Sequence, residues 1–297
     1  MLTIPCRASM MSNMNQLSTE RRAAVVAALV EGNSLRATAR MTGVARMTIE
    51  QLLRDLGTAC AAYHDAHVRN VTSRRIQCDD IWSFVGAQAK NVPEEKRGTW
   101  GDIWTWTAID ADSTLIVGYR VGQRTAIDAY DFMKDVAGRL ANRVQLTTDS
   151  LKVYLNAVDY AFGIDIDYAM LEKHYGSFVT SGSAAHRDTP ATITGIRAAT
   201  ITGDPNRTHV STSDVERQNL TMRMHMRRFT RLTNGFSKKI EMHAHSVALH
   251  VMHDNFCKIH QTLRVTPAME AGVSDHVWEI SELVSLLDQT SRAEQTA

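Results

Sequence analysis

The texture of residues 74 to 171 limits this chain more than any other feature. "RIQCDDIWSFVGAQ" is rich in strand formers and alternates in polarity, while "KNVPEEKRGTWGD" is polar, holds Pro and Gly, and reads as a hairpin loop. "IWTWTAIDADSTLIVGYRVG" then gives two more strands around the turn "DADS". "TAIDAYDFMKDVAGRL" has helical spacing, "NRVQLTTD" is a short strand ending at Asp149, "SLKVYLNAVDYAFG" is a helix, and "IDIDYAML" is a fifth strand. The order is three strands, helix, strand, helix, strand. A meander followed by crossover helices predicts an α/β fold, with a mixed sheet and helices on its faces. The stretch of about 172–213, from Glu172 on, is rich in Gly, Ser, Thr and Pro and reads as a long loop or insertion.

Ahead of this region, residues 18–57 read as three short helices. The first starts at Ser18 or Thr19 and stops at Gly32-Asn33; the second restarts at Ser34 and ends at Gly43; the third runs to Gly57. Ala39, Gly43 and Ile49 have the spacing of a helix-turn-helix: a small residue at the helix contact, a glycine in the turn, an apolar anchor on the second helix. Arg46, Thr48, Gln51 and Arg54 then face outward as candidate DNA contacts; a plain helical bundle is the competing reading. Residues 1–17 are expected to be a flexible start, 58–73 a linker helix, 74–275 a catalytic domain, and 276–297 a C-terminal helix and tail.

Composition sets outer bounds. No run of eighteen apolar residues exists among the 297, so no membrane span is expected, and the start lacks the apolar core of a secretory signal. Four cysteines without a CxxC pair disfavour a disulfide framework and fit a cytoplasmic location. The formal net charge is only +1, yet the segment from Glu216 to Lys239 holds seven Lys or Arg and one carboxylate. Phosphate responds to local charge, so a near-neutral sum leaves a nucleic-acid partner open.

Three acids stand out by position. Asp79 lies within the first strand, Asp149 ends the fourth, and Glu216 opens the basic stretch. A mixed sheet can bring the first two side by side, and a helix across that edge can supply the third. Such an oxygen set suits Mg²⁺ or Mn²⁺, and two ions there would serve phosphodiester displacement. At helical spacing Val215, Asn219, Met222, Met226 and Phe229 form a buried stripe. Glu216, Leu220, Arg223 and Arg227 share a neighbouring face, so a candidate metal ligand sits in line with arginines that can hold DNA phosphates. Arg228, Arg231, Lys238 and Lys239 extend the same charge. Each feature alone has a plainer reading: a solvated basic helix, a helix N-cap at Asp149, edge charge at Asp79 or Asp80.

The stretches "CDDIWSFVG", "TTDSLKVY", "STSDVERQNLTMRMHMRRFTRLTNGFSKK" and "HDNFCKIHQTLRVTPAMEAG" give the chain a resemblance to bacterial IS1-family insertion-sequence transposases. The resemblance implies an RNase H-like catalytic core with a DDE triad, Asp79, Asp149 and Glu216 by position. It also implies supporting roles for Arg217 and Asn219, metal-dependent DNA cleavage and strand transfer, double-stranded DNA as partner, and a homo-oligomer. Asp80 stands where the family usually has Glu, the interval between Asp149 and Glu216 is longer than in compact members, and the family's cysteine-rich N-terminal motif is missing. A catalytically silent DNA-binding regulator is the alternative, and a nuclease that never joins strands is a third reading.

Two other groupings compete for attention. His250, His253, Cys257 and His260 recur at helical steps and could form a zinc site, but a structural role is the better reading. The paired aspartates of "AIDADS" fit turn geometry better than catalysis.

Overall fold

The computed structural model describes residues 17–175, 193–229 and 234–296, so the N-terminal start expected to be flexible lies almost wholly outside the described residues. Helices α1 (Thr19–Val30) and α2 (Leu35–Thr42) begin where a serine can cap them. Ser18 Oγ accepts from the Arg21 amide and Ser34 Oγ from the Ala37 amide. α2 ends at Gly43, whose φ of 67° lies in the left-handed region that glycine reaches at little cost. α3 (Arg46–His67) does not stop at Gly57 as the sequence suggests; it runs on through most of the expected linker. Packing explains this. A Cβ at Gly57 would lie 2.4 Å from His245 Cβ and 2.7 Å from His245 Cα on α7 (Ile240–Met252), so the missing side chain lets two helices meet at their backbones.

Strands β1 (Arg75–Val85), β2 (Gly101–Asp110), β3 (Ile116–Gly122), β4 (Gln145–Asp149), β5 (Asp167–Tyr175) and β6 (Ile193–Thr202) form one sheet in the order β3-β2-β1-β4-β5-β6. β1, β2 and β3 are an antiparallel meander; β4 runs parallel to β1 and to β5. The mixed sheet predicted from the element order is therefore present. β6 is a departure: it pairs antiparallel with β5 inside the stretch expected to be loop. Its residues "ITGIRAATIT" are mostly exposed, as on an edge strand with little apolar alternation to announce it. The middle of the expected insertion, 176–192, lies outside the described residues.

α4 (Ala126–Ala137) and α5 (Val153–Phe162) carry one wall of the core. Trp106 of β2 packs there against Phe132 and Tyr154, with ring centroids 5.9 Å and 5.4 Å away. A second cluster joins Ile81 of β1 to Met222 of α6 (Ser213–His225), Phe229, and Val247 and Val251 of α7. The basic stretch is thus not one helix. α6 ends at His225, Met226 is extended, and Arg227–Phe229 form a single 3-10 turn.

The motif "HDNFCKIH" also acquires a physical role. A π-helical turn, His253–Cys257, presents the fully buried Asn255 to the edge of the sheet. Its Oδ1 accepts from the Ile116 amide at 2.9 Å and its Nδ2 donates to the Ile116 carbonyl at 3.0 Å, so one side chain replaces a neighbouring strand. α8 (Pro267–Glu270) follows, and α9 (Ile280–Thr296) lays Leu283, Val284 and Leu286 into the core shared with α1 and α3. Among the described residues no helix is long and apolar enough to cross a membrane.

Candidate active site

The site grows from the rung where β1 meets β4. Cys78 is the last β1 residue paired to β4, opposite Thr148; one step further stand Asp79 and Asp149, and there β4 ends. Side chains alternate along a strand, so Gln77 and Asp79 share a face. α6 lies across it. Asn219 Nδ2 donates to Asp79 Oδ2 at 2.8 Å. Gln77 Oε1 accepts from the Asp214 and Val215 amides at 2.9 Å and 3.2 Å, and its Nε2 donates to the Asp214 carboxylate. Gln77 therefore fixes the first turn of α6, the turn that carries Glu216. Thr212 Oγ1 donates to Glu216 Oε1 at 2.5 Å.

Cations meet the acids from two sides. Lys173, on β5, pairs its ammonium with Glu216. Arg124, between β3 and α4, places Nε 2.7 Å from Asp80 Oδ2 and Nη2 3.6 Å from Asp149 Oδ2. Gln77, Asp80, Arg124, Lys173 and Thr212 are participants that sequence reasoning had not assigned. For Gln77 a signal existed in its two-residue offset from Asp79. For Arg124 and Lys173 none did, because their role depends on which strands become neighbours.

Burial and crowding raise the proton affinity of this corner. The Asp79 carboxyl is pushed up to about 7, by burial first and then by Asp149, with Asp80 and Glu216 adding. Asp80 rises to about 6 through burial, against the pull of Arg124. Asp149 is also raised, by burial first, with Glu216 adding and the Leu151 amide, Arg124 and Lys173 opposing. Asp79 thus senses the charge of Asp149 and Glu216, and Asp149 that of Glu216, across three segments of the chain.

Their donors are all oxygen, as a hard divalent cation prefers, and their repulsion is what such a cation would relieve. In that chemical sense the set fits. The described residues include no group of three or more His, Cys, Asp or Glu side chains drawn together closely enough to hold a metal ion. Each acid is instead engaged by a protein donor: Asp79 by Asn219, Asp149 by the Leu151 amide and Arg124, Glu216 by Lys173 and Thr212.

The basic residues divide. Arg217, Leu220 and Arg223 are exposed on the helix that carries Glu216, with Val215, Asn219 and Met222 buried as the wheel requires. The expected alignment fails beyond His225, where Arg227 is exposed and Met226 and Phe229 are buried after the helix has ended. Arg228 differs: it turns inward, donates to Ser237 Oγ at 3.0 Å, and burial lowers it to about 10. Lys238 and Lys239 are exposed just before α7; Arg231 lies outside the described residues. On α3, Arg46, Thr48, Gln51 and Arg54 are all exposed, with Arg46 3.3 Å from Glu50 and Arg54 bonded to Gln51. His250, His253, Cys257 and His260 assemble no metal-holding group, and Asp110 of "AIDADS" accepts from Ser113 and Asp112 within the β2–β3 turn.

This fold and corner define a mixed α/β protein with an acidic cluster at one end of its sheet and exposed arginines beside it. A family described as IS1 transposase matches residues 202–257, from the last residue of β6 through α6, with Glu216, to the turn bearing Asn255. Asp79 and Asp149 lie outside that match. None of the curated proteins compared matches the chain. Among solved structures, the chain is similar to a piggyBac transposase in a cryo-EM synaptic complex with hairpin DNA, at 12% identity and a TM-score of 0.38. That superposition covers 99% of this chain and 76% of the other.

Proposed function

We propose that the chain is a DNA transposase of the DDE type, with an RNase H-like core and a DNA-binding helix-turn-helix formed by α1 to α3. The observation that supports the reading is that Asp149 and Glu216 both act by charge on Asp79, so acids of β1, β4 and α6 lie near one another, though not drawn together closely enough to hold a metal. The transposase match around Glu216 supports it.

In this reading Asp79, Asp149 and Glu216, once drawn together, would hold Mg²⁺ or Mn²⁺. Bound there, one or two such ions would activate water and stabilise the leaving oxygen of a phosphodiester. The chain's own residues prepare that chemistry. Asn219 fixes the rotamer of Asp79, Thr212 that of Glu216, and Gln77 the angle at which α6 crosses the sheet. Arg217 and Arg223, on the helix that carries Glu216, line the approach, where their charge draws the phosphates of double-stranded DNA toward the acids. The protein acts as a homo-oligomer, joining two element ends to a target in the cytoplasm.

Glu216→Gln is expected to abolish cleavage and strand transfer in Mg²⁺ while leaving binding to element ends within about twofold of the parent, since one neutralised acid adds little to a multi-phosphate interface. A Gln variant that cuts DNA at the parental rate removes the assignment. Binding should also weaken steeply between low and moderate salt; a flat response excludes the arginine clamp.

One observation favours a second reading. Glu216 is already neutralised by Lys173, as in a catalytically silent DNA-binding regulator descended from a transposase. A chain that binds element ends yet yields neither nicked nor joined products in Mg²⁺ or Mn²⁺ is that regulator.

A further inference from the structure

A second concave site lies away from the acidic corner, where α1, α2 and the start of α3 face the end of α6 and the flank of α7. It is a groove of about 710 Å³. Arg36, Arg46, Arg227, Arg228, Lys238 and Lys239 line it, against the single carboxylate of Glu50. Arg46 pairs with Glu50, so the other five cations face the groove with no carboxylate partner among the described residues. Such a surplus repels itself unless an anion enters.

The floor of the groove supplies an independent sign. His250 is only 4% exposed, lines the groove, and has no hydrogen-bond partner at Nδ1 or Nε2. A buried imidazole with both nitrogens unbonded is costly, and a ligand oxygen accepting from the nitrogen that carries the proton would relieve part of that cost. Arg228, half-buried, donates to Ser237 Oγ and pairs with no carboxylate among the described residues. The remaining wall is apolar: Leu53, Met226, Met242 and Leu249. An anion bearing a flat or aliphatic body fits this mixture better than a bare ion.

We infer that this groove binds a nucleotide unit of a DNA strand, its phosphate held by Arg36, Arg227 and Arg228 and reached by an imidazole N–H of His250, its base or sugar against the apolar wall. The groove thereby links the N-terminal helices to α6, the helix that carries Glu216. The site itself stands on these residues; only DNA as the source of the phosphate rests on the transposase reading.

The test uses the full chain with isotope-labelled histidine, the His250 ring signals being identified by their loss in His250→Gln. Three probes are titrated: inorganic phosphate, thymidine monophosphate and a 5′-phosphorylated thymidine oligonucleotide. The oligonucleotide is expected to shift the His250 signals saturably and to bind about tenfold more tightly than inorganic phosphate. The exposed double substitution Arg36→Ala/Arg227→Ala, or Gln at both positions if Ala alters melting, should weaken it about tenfold through loss of charge-assisted hydrogen bonds. His250 signals that stay fixed, or variants that bind as the parent does, overturn the proposal. Equal affinity for inorganic phosphate overturns the nucleotide assignment, and monophosphate binding tighter than the oligonucleotide overturns the DNA strand as source. A silent His250 in a chain that still cuts DNA removes the groove alone. A responsive His250 in a chain that cuts nothing removes the transposase reading alone.

Discussion

Asp79 shows how much a single side chain can carry. Its carboxyl is mostly buried, accepts from Asn219 and from the Asp80 amide, and faces the charge of Asp149 and Glu216. Ionising it inside that corner opposes folding: an ordinary aspartate titrates near 3.8, this one near 7, so the folded state holds a proton that the unfolded chain has released. Replacement by Asn removes the ionisation and keeps the shape. Asp79→Asn is expected to stabilise the protein at pH 8 by about 1–3 kcal/mol, and by almost nothing near pH 3, where both states carry the proton. Urea midpoints at the two values check this; equal stability of parent and variant at pH 8 would mean that the acids do not crowd. Stability held back in this way is typical of residues placed for chemistry.

At the scale of elements, Gly57 marks where reading ahead along the sequence goes astray. A glycine after an amphipathic stretch reads as a helix end, and here it sits inside α3 because α7 needs the space. The local signal and the tertiary requirement use the same residue for opposite purposes. Gly57→Ala forces a methyl against His245 backbone atoms, so α3 and α7 must separate, at an expected cost of about 1–3 kcal/mol despite alanine's better helix propensity. A rise in melting temperature would exclude the close crossing. The same limit explains the missed β6, whose exposed residues, Ile193, Ile196 and Ile201 among them, follow no alternating pattern and pair with β5 through the backbone ladder and one bond from Thr194 to the His174 carbonyl. The buried strands β1 through β5 were legible because burial, on one face or both, enriches apolar and β-branched residues.

For the whole molecule, titration is a contest between two buried populations. His64, His243 and His250 lie in the core and are lowered to about 4, about 3 and about 4, each by burial first. Free histidine titrates near 6.5, so as pH falls below that the unfolded chain takes up protons the folded state refuses, and stability drops. Asp79 and Asp80 act oppositely over the same range, since their folded carboxyls take up protons there first. The parent is therefore expected to show a shallow profile between about pH 4 and 6.5, and Asp79→Asn a steeper acid loss. Parallel profiles for the two proteins would contradict the opposition.

What the sequence by itself determined was the alternation of strands and helices, the caps at Ser18 and Ser34, the buried stripe of α6, and three acids: one within a strand, one at a strand end and one in the first turn of a helix. All of these are periodic or local properties, fixed by which residues can share a face or satisfy a terminal amide. Tertiary structure alone decided that Lys173 and Arg124 meet the acids, that Arg228 turns inward, that Asn255 serves as a surrogate strand for Ile116, and that one groove gathers cations from α2, α3, α6 and the segment before α7. Apart from Arg228 with Ser237, nine positions away, those pairings join residues tens to more than a hundred positions apart. Their partners are chosen by strand order and helix crossing, which no short window of sequence contains.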